Sequence, residues 1–338
     1  MRIPTELTEA AAGLHLWLPE AVGLWGLANC AVISSEDQAL LVDTPYTTAL
    51  TATLAEAAGR VLPSGAAITR IVNTHPNGDH TFGNAYFTGA EIISTDTNLE
   101  RLCSEPTPRQ THALVRDSSP DEPVGWYARK HFGRYDYTGL DVVAPTTTFS
   151  GTHTLRVGAT EVRLIEVGPA HTAGDLIVHL PQQRVVLAGD VLFVDDHPVH
   201  WQGPLGGVIR ASEQILALEP EVVVPGHGPV VGPAQVRSYI GYLRELEGMV
   251  HERYAKGMEA YEAASEILAA DFHPHLGIPE RIVILTAIEY RHLDGGGGSV
   301  PDTIGLLGGA ARWAFEQEAL LVPRPPEGAV DAVARSRS

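Results

Sequence analysis

Short apolar runs rich in β-branched residues alternate with alanine-rich stretches along residues 14–232 of the chain. Runs of this kind that end at turn residues predict β-strands, and their order indicates two separate strand series. The first series is expected at Leu14–Leu18, Ala28–Ile33, Ala39–Val42, Ile68–Asn73 and Glu91–Ser94. The second series is expected at Thr154–Val157, Glu161–Val167, Leu176–His179, Val185–Ala188 and Glu221–Val224.

Helical spacing of apolar residues accompanies both series. Helices are expected at Thr47–Val61, which ends in the stop signal Leu-Pro-Ser-Gly, and at Ala211–Leu218. Residues 233–270, 279–293 and 303–319 are also predicted to be helical. Two strand series that are each covered by helices indicate a layered α/β arrangement, with polar loops converging at strand ends.

Residues 106–145 interrupt this alternation, with Pro-containing turns followed by Trp126, Tyr127, Tyr135 and Tyr137 among charged residues. This composition predicts an insertion over the surface. The insertion could act as a lid and supply a wall for a flat aromatic or polyketone substrate. The alternative interpretation is a small satellite core beneath a long loop.

The 338 residues are 44% hydrophobic and 19% charged, with a mean hydropathy of 0.00. These values are typical of a globular protein and exclude a disordered or fibrous chain. The 23 basic and 41 acidic residues give a net charge of −18. Nucleic acid and anionic membrane surfaces are therefore not expected as partners, because they carry the same sign of charge.

Neither secretion nor a disulfide framework is indicated. The amino-terminal segment lacks the apolar core of a secretory signal, and no later stretch is apolar over the length of a membrane span. A cytoplasmic location is therefore expected. Two cysteines, Cys30 and Cys103, cannot form a disulfide framework and are expected to be buried thiols.

Four short polar segments each follow a predicted strand and carry histidine or aspartate beside small residues. They are His75-Pro-Asn77-Gly-Asp79-His80, Ala170-His171-Thr172-Ala-Gly-Asp175, Gly189-Asp190 and Pro225-Gly-His227-Gly. Imidazole and carboxylate together suit zinc, with iron or manganese as second choices. One such histidine alone is usually a surface or core residue, but four segments in one chain predict a metal site.

The order HxxxDH, a single later His, Gly-Asp after a strand and then Gly-His-Gly resembles the metallo-β-lactamase superfamily. The resemblance spans residues 14–232 and includes Val42-Asp43-Thr44, which is similar to the aspartate that ends an early strand in that family. It implies an α/β (α+β) fold, a four-layer αββα sandwich with a metal pair at one sheet edge. Residues 1–232 would then form the catalytic domain with 106–145 inserted, 233–320 a helical extension packed on it, and 321–338 a flexible tail.

The resemblance also implies the metal ligands. One site would use His75, position 77 and His171, and the other Asp79, His80 and His227, with Asp190 bridging the two. Position 77 is normally histidine in the family but is Asn77 here, and an amide oxygen binds zinc more weakly than imidazole does. Two zinc ions of unequal affinity are therefore expected, the alternative being one ion if the Asn77 site is empty.

Such ions bring the pKa of bound water from about 15.7 towards 7 and polarise a substrate carbonyl. Asp79 and Asp190 are the expected catalytic residues, since Asp79 would orient the water and take a proton. The implied reaction is hydrolysis of a carboxylic thioester, ester, lactone or amide. Thr74, Thr172 and Asp175 lie next to ligands, where they would either support them or be ordinary strand-end and loop residues.

Residues 167–193, 218–233 and 279–295 are similar to one group, the metallo-β-lactamase-like cyclase/thioesterases of aromatic polyketide (antibiotic) biosynthesis. That resemblance implies a small-molecule acyl substrate presented by an acyl carrier protein and released by thioester cleavage, with or without ring closure. A general lactonase, a glyoxalase-II-like hydrolase and a degenerate non-catalytic binding protein stay open as alternatives. Antibiotic-hydrolysing lactamases are not expected, because they are normally exported.

Candidate substrate contacts lie in the insertion and after Asp190. Trp126 and Tyr127 belong to the insertion, while His197, His200 and Trp201 follow Asp190 in a loop that is expected to border the metals. The long helical stretch 233–270 is expected to serve as core or as a contact in a homodimer.

Overall fold

The computed structural model describes residues 2–321, and in that part of the chain twelve strands form two β-sheets. The first sheet contains, in spatial order, β1 (Thr8–Ala11), β2 (Leu14–Trp17), β3 (Cys30–Ser35), β4 (Gln38–Val42), β5 (Ala67–Val72), β6 (Glu91–Thr95) and β7 (Thr147–Phe149). The second contains β8 (Thr152–Val157), β9 (Thr160–Glu166), β10 (Leu176–Leu180), β11 (Val185–Phe193) and β12 (Val222–His227).

Each sheet combines antiparallel and parallel pairing. β1 to β4 are antiparallel neighbours, whereas β4 to β7 are parallel. In the second sheet β8 to β11 are antiparallel, and β12 lies parallel to β11. Parallel neighbours need long crossover connections, and the polar segments found in the sequence lie mainly in the loops that begin at the carboxyl ends of these strands.

The two sheets pack face to face through alternate residues of each strand. Leu40 and Val42 of β4 share an inner cluster with Leu164 and Val178 of the second sheet, while Leu41 faces the outer helix layer. Strands whose two faces are both covered can be apolar throughout, which explains why these sequences are uninterrupted apolar runs.

Ten α-helices within residues 2–321 cover or close the sandwich. They are α1 (Thr48–Val61), α2 (Gly78–Thr81), α3 (Asp96–Arg101), α4 (Pro108–Asp117), α5 (Pro123–Phe132), α6 (Leu205–Ala217), α7 (Pro233–Ala255), α8 (Ala260–Ala269), α9 (Arg281–Leu293) and α10 (Thr303–Leu321). α1 packs through Leu54 on the outer face of the first sheet, and α6 to α9 pack on that of the second. The predicted mixed α/β fold with two sheets flanked by helices is confirmed.

The insertion at 106–145 is helical in part, because it contains α4 and α5. The Thr107 hydroxyl accepts a hydrogen bond from the Gln110 N–H, and the Gln110 side chain accepts one from the Thr107 N–H, so the two residues cap α4 reciprocally. α10 packs against α5, and its Ala310 shares an apolar cluster with Phe132. The segment therefore has a satellite core and also forms a wall.

Several element boundaries differ from those predicted. The short edge strands β1 and β7 lack a long apolar run, and β11 continues to Phe193, so Asp190 lies inside a strand. α6 begins at Leu205 instead of Ala211. The stretch 233–270 is two helices, because Gly257 adopts a φ of +73° just after α7 and the chain turns there.

Two further expectations concern the ends and the thiols. The tail predicted at 321–338 lies outside the described residues, apart from the final residue of α10. Cys30 is buried as expected, but the prediction for Cys103 is wrong, because it lies exposed in a 3-10 turn at Leu102–Ser104. None of the helices in residues 2–321 is long and apolar enough to cross a bilayer.

Candidate metal centre

The two sheets bring the polar segments together at one edge of the sandwich. The loop after β5 and the single turn α2 carry His75, Asn77, Asp79 and His80, while the second sheet and its loops carry His171, Asp190 and His227. Every ligand position implied by the family resemblance therefore lies in this one region.

The Asp190 carboxylate lies at the centre of the cluster and is 5% exposed. Its Oδ1 is 3.2 Å from Nε2 of His80, and its Oδ2 is 3.4 Å, 3.5 Å and 3.8 Å from Nε2 of His227, His171 and His75. Gly226 makes room for this carboxylate, because a Cβ at position 226 would lie 1.8 Å from Oδ1. The glycine at position 226, directly before His227, is therefore required by the packing of the Asp190 carboxylate.

Backbone carbonyls fix the rings of two histidines. Nδ1 of His171 lies 2.6 Å from the Val199 carbonyl oxygen, and Nδ1 of His227 lies 3.1 Å from that of Leu27. A carbonyl oxygen only accepts, so each Nδ1 carries the proton. Each Nε2 then lies on the side of its ring that faces Asp190.

Asp43 fixes the other two rings. Its Oδ2 lies 2.8 Å from Nδ1 of His80 and accepts the hydroxyl proton of Thr74 at 2.7 Å. Since that hydroxyl donates to Asp43, it accepts from Nδ1 of His75 at 3.0 Å. Asp43 is buried and has a φ of +60°, a strained conformation that places its carboxylate beneath both rings. Thr74 is therefore a supporting residue.

The loop that holds His171 is fixed by a different carboxylate. Asp175, which is buried, accepts hydrogen bonds from the N–H groups of Ala170 and Thr172 and from the Thr172 hydroxyl. Asp175 and Thr172 thus shape the loop, and their side chains contact each other instead of a ligand atom.

The donor set fits a divalent cation. Nε2 of His75, Nε2 of His80 and Oδ1 of Asp190 are buried and have no hydrogen-bond partner within the described chain. Burial and the imidazole of His80 lower the pKa of His75 well below its usual range, while the surrounding imidazoles outweigh burial and hold the pKa of Asp190 well below its own. Neutral imidazole and ionised carboxylate are the forms that bind metal. The carboxylates of Asp190 and Asp43, however, outweigh burial and raise the pKa of His80 well above its usual range, so a metal ion would have to displace a proton from that ring.

Two overlapping groups of ligand atoms lie close enough to hold an ion. His75, His80 and Asp190 form one group, and Asp79, His80 and His227 form the other. Asp79 Oδ2 lies 3.5 Å from Nε2 of His227, and its side chain is 18% exposed, more than that of any histidine in the cluster. Asp79 therefore faces the open side of the centre.

Asn77 belongs to neither of these two groups, and its amide lies between the carboxylate of Glu105 and the imidazole of His171. Its Nδ2 donates to Oε2 of Glu105 at 2.7 Å, and its Oδ1 lies 2.7 Å from Nε2 of His171. The carboxylate only accepts, so the amide nitrogen faces Glu105 and the amide oxygen faces His171. Because Nδ1 of His171 already donates to Val199, a hydrogen bond to Asn77 needs the imidazolium form, whereas a metal needs the free Nε2.

A cavity of about 300 Å³ opens over the cluster. His171, Asp190, His227 and Asp79 lie at its polar end. Most of the remaining wall is apolar, with rings contributed by Trp25, Tyr46, Phe82, Phe132, Phe193 and Trp201. α4 and α10 form part of this wall through Leu114, Ile304 and Leu307. The cavity therefore offers flat apolar surfaces that lead to a polar end.

Of the five candidate substrate contacts, Trp201 lines this cavity, and the structure places the other four elsewhere. Trp126 packs against Phe315 and Lys130. Tyr127 is fully buried, accepts a hydrogen bond from Trp25 Nε1 and donates to Glu280. His197 and His200 are fully buried beneath the loop, near Tyr242 and Tyr239 respectively. A loop next to a metal site can bury its histidines inward, which the sequence does not reveal.

Most of the residues that line the cavity are not predicted from the sequence, and Trp25, Glu105 and Arg281 are among them. No local pattern marks them, because each depends on partners far along the chain. Trp25 bonds Tyr127, Glu105 bonds Asn77, and Arg281 bonds the carbonyl of His197.

The chain is similar to known proteins over the region that contains the cluster. Residues 23–227 match a family model described as the metallo-beta-lactamase superfamily. A metallo-beta-lactamase from Pontibacter korlensis has a TM-score of 0.52 and 17% identity, covering 71% of this chain and 98% of that one. DIM-1 metallo-beta-lactamase exposed to ceftazidime has a TM-score of 0.52 and 18% identity, covering 72% and 99%. VMB-1 at pH 5.5 has a TM-score of 0.53 and 17% identity, covering 72% and 98%. At such identities the likeness shows the fold alone.

We expect Asn77→His to increase metal binding. The new imidazole supplies a better zinc ligand and removes the amide oxygen that competes for Nε2 of His171, so affinity at this position should rise by about 10-fold or more. Zinc per chain, measured by inductively coupled plasma mass spectrometry after dialysis against a weak chelator, should rise towards two. Asn77→Ala is the matched control, and equal zinc content in both variants would contradict the expectation.

We expect Asp43→Asn to weaken zinc binding by about 10- to 100-fold, because His80 and Thr74 lose the carboxylate that orients both rings. Competition with a fluorescent zinc chelator measures the change. Asp37→Asn, at an exposed turn, is the control for the charge alone. Affinity that is the same in both variants would refute the supporting role of Asp43.

We expect His197 to make the metal-free protein acid-sensitive. Burial lowers the pKa of His197 from 6.5 to about 4, so its contribution to stability is full above pH 6.5 and is lost as pH falls towards 4. At pH 5 the loss amounts to about 2 kcal/mol. Urea unfolding of His197→Phe at pH 7 and pH 5 should show a correspondingly smaller decrease than wild type, and an unchanged decrease would contradict this expectation.

Proposed function

Since the chain belongs to the metallo-beta-lactamase superfamily, we propose that it is a zinc-dependent hydrolase of carboxylic thioesters, esters or lactones. One observation carries the proposal. Four imidazoles place Nε2 within 3.2–3.8 Å of one buried carboxylate, and a second carboxylate lies beside them at the end of an aromatic cavity. Membership of this superfamily suggests a metal-dependent hydrolase, and the nitrogen and oxygen donors favour zinc.

Two sets of residues would hold the metal. His75 and His171, with Asn77 as a weak third ligand, would hold one ion, and Asp79, His80 and His227 the other, with Asp190 shared. When bound, zinc lowers the pKa of water and polarises a carbonyl oxygen. Unequal occupancy of the two sets is part of the proposal.

The residues of the chain would contribute orientation and proton transfer. Asp79 faces the cavity, where its outer oxygen can accept a proton from water and hold that water in position. Asp190 is too enclosed by histidines for that role and would keep the cluster together. The apolar walls from α4 and α10 would exclude bulk water from the acyl group.

The shape of the cavity favours an aromatic or polyketone acyl group. The cavity is at the small end of the range for ligand sites, and its six rings offer flat apolar surfaces. A thioesterase or cyclase of aromatic polyketide type, which receives its substrate from an acyl carrier protein, accords with this lining. A lactonase or glyoxalase-II-like hydrolase uses the same groups, so we keep both as alternatives.

A non-catalytic metabolite-binding protein is the second candidate, and one observation favours it. The amide of Asn77 occupies Nε2 of His171, which would otherwise bind metal. Binding of a ligand without zinc-dependent turnover would then be the only activity of the cavity.

Zinc-dependent turnover tests the proposal. Aryl thioesters, aryl esters and aromatic lactones should be hydrolysed by the purified chain, and chelation should abolish the rate until zinc is restored. Asp190→Asn should lower kcat/KM at least about 100-fold, because it removes the shared ligand. Asp195→Asn, which changes an exposed neighbour with a φ of +70°, should leave the rate unchanged. Absence of turnover on all three substrate classes with zinc bound would refute the hydrolase.

A further inference from the structure

Arg281, the first residue of α9, is a buried cation on the wall of the cavity. It is 2% exposed, and it is the only lysine or arginine among the described residues that line this space. Arginine is almost never fully buried unless an anion pairs with it, because removing its charge from water is costly.

The nearest acids do not pair directly with this guanidinium, although Asp196, Asp190 and Glu280 attract it from beyond ion-pair distance. Nη1 donates to the His197 carbonyl at 2.9 Å, Nε is buried without a partner, and no ion pair with a carboxylate forms within residues 2–321. Asp196 and Glu280 are nearby acids, but each is bonded elsewhere. Both oxygens of Asp196 face the N–H of Gly23, and Glu280 accepts the Tyr127 hydroxyl proton.

Aromatic rings hold the guanidinium in place. Its Cζ lies 4.2 Å from the ring centroid of Trp25 and 5.2 Å from that of Phe193. Trp25 is fixed by its hydrogen bond to Tyr127, and Phe193 stacks on His227 with centroids 5.3 Å apart. The cation is therefore rigidly positioned one ring away from the metal cluster, and stacking stabilises it without neutralising its charge.

We propose that Arg281 is an anion-binding residue of the cavity and that the substrate carries a carboxylate on or beside an aromatic ring. The identification of this ligand as the substrate rests on the proposed function. A guanidinium fork matches a carboxylate through two parallel hydrogen bonds. In the metal-free chain the acids of the wall, Asp79, Glu105 and Asp190, do not attract an anion, whereas Arg281 does. Arg281 also lies beyond residues 23–227, outside the family match.

Benzoate and benzamide form a matched pair that tests the charge. Binding to the full-length chain is measured by isothermal titration calorimetry, after chelation and again with zinc restored. Metal-free wild type should bind benzoate at least about 10-fold tighter than benzamide. Arg281→Gln should abolish this preference and leave benzamide binding within about twofold, whereas Arg281→Lys should keep part of it. Arg109→Gln, an exposed charge change on α4, should have no effect.

The outcomes distinguish a failure of the Arg281 subsite from a failure of the proposed hydrolase activity. Equal binding of benzoate and benzamide by wild type overturns the subsite even if Arg281→Gln fails to fold, and so does a preference that persists in folded Arg281→Gln. If Arg109→Gln removes the preference as well, general surface charge explains it and the proposal fails. A preference that depends on Arg281 supports the subsite whether or not zinc-dependent turnover is found. Zinc-dependent turnover without such a preference supports the hydrolase and refutes the anion-binding subsite.

Discussion

The structure depends on holding four imidazole rings around one buried carboxylate. Nε2 of every ring must point at Asp190, and this is possible only because every Nδ1 has an acceptor behind it. Two of these acceptors are backbone carbonyls, and two depend on Asp43. The first sheet provides Asp43, His75 and His80, so neither sheet can form the cluster alone. The packing of the two sheets against each other therefore determines the geometry of the site.

The two halves of the cluster differ in one side chain. His80 and His227 have free Nε2 atoms beside Asp79, whereas Nε2 of His171 already has Asn77 as a partner. Glu105, where burial raises the pKa to about 7, fixes the orientation of that amide from behind. An amide held in this way keeps its oxygen close to the ligand position even though it is a poor ligand. This difference is the basis for proposing that the two halves bind metal with unequal affinity.

The sequence predicts the parts of this architecture that are set by local pattern. Apolar runs such as Val185–Ala188 mark strands covered on both faces, and the histidines and aspartates at strand ends mark the cluster. Contacts between distant segments escaped prediction. The aromatic ring of Tyr127 and its place in the insertion predict a substrate contact, yet its hydroxyl fixes Trp25, which lines the cavity. The sequence also predicts a buried Cys103, but its thiol is exposed, because the exposure of a side chain depends on how the surrounding chain folds.

The cavity also draws on a part of the chain that lies beyond the family match. Residues 23–227 contain the whole cluster, and its geometry is fixed by strands and by Asp43. The part of the wall that lies farther along the chain comes from α9 and α10, with Arg281 and Leu307 on the cavity surface. These helices set part of the shape and charge of the wall near the cluster, while the acceptors that orient the four rings lie within residues 23–227. As proposed, the cation of Arg281 would attract an anionic group to this part of the wall, whereas the acids Asp79, Glu105 and Asp190 would not.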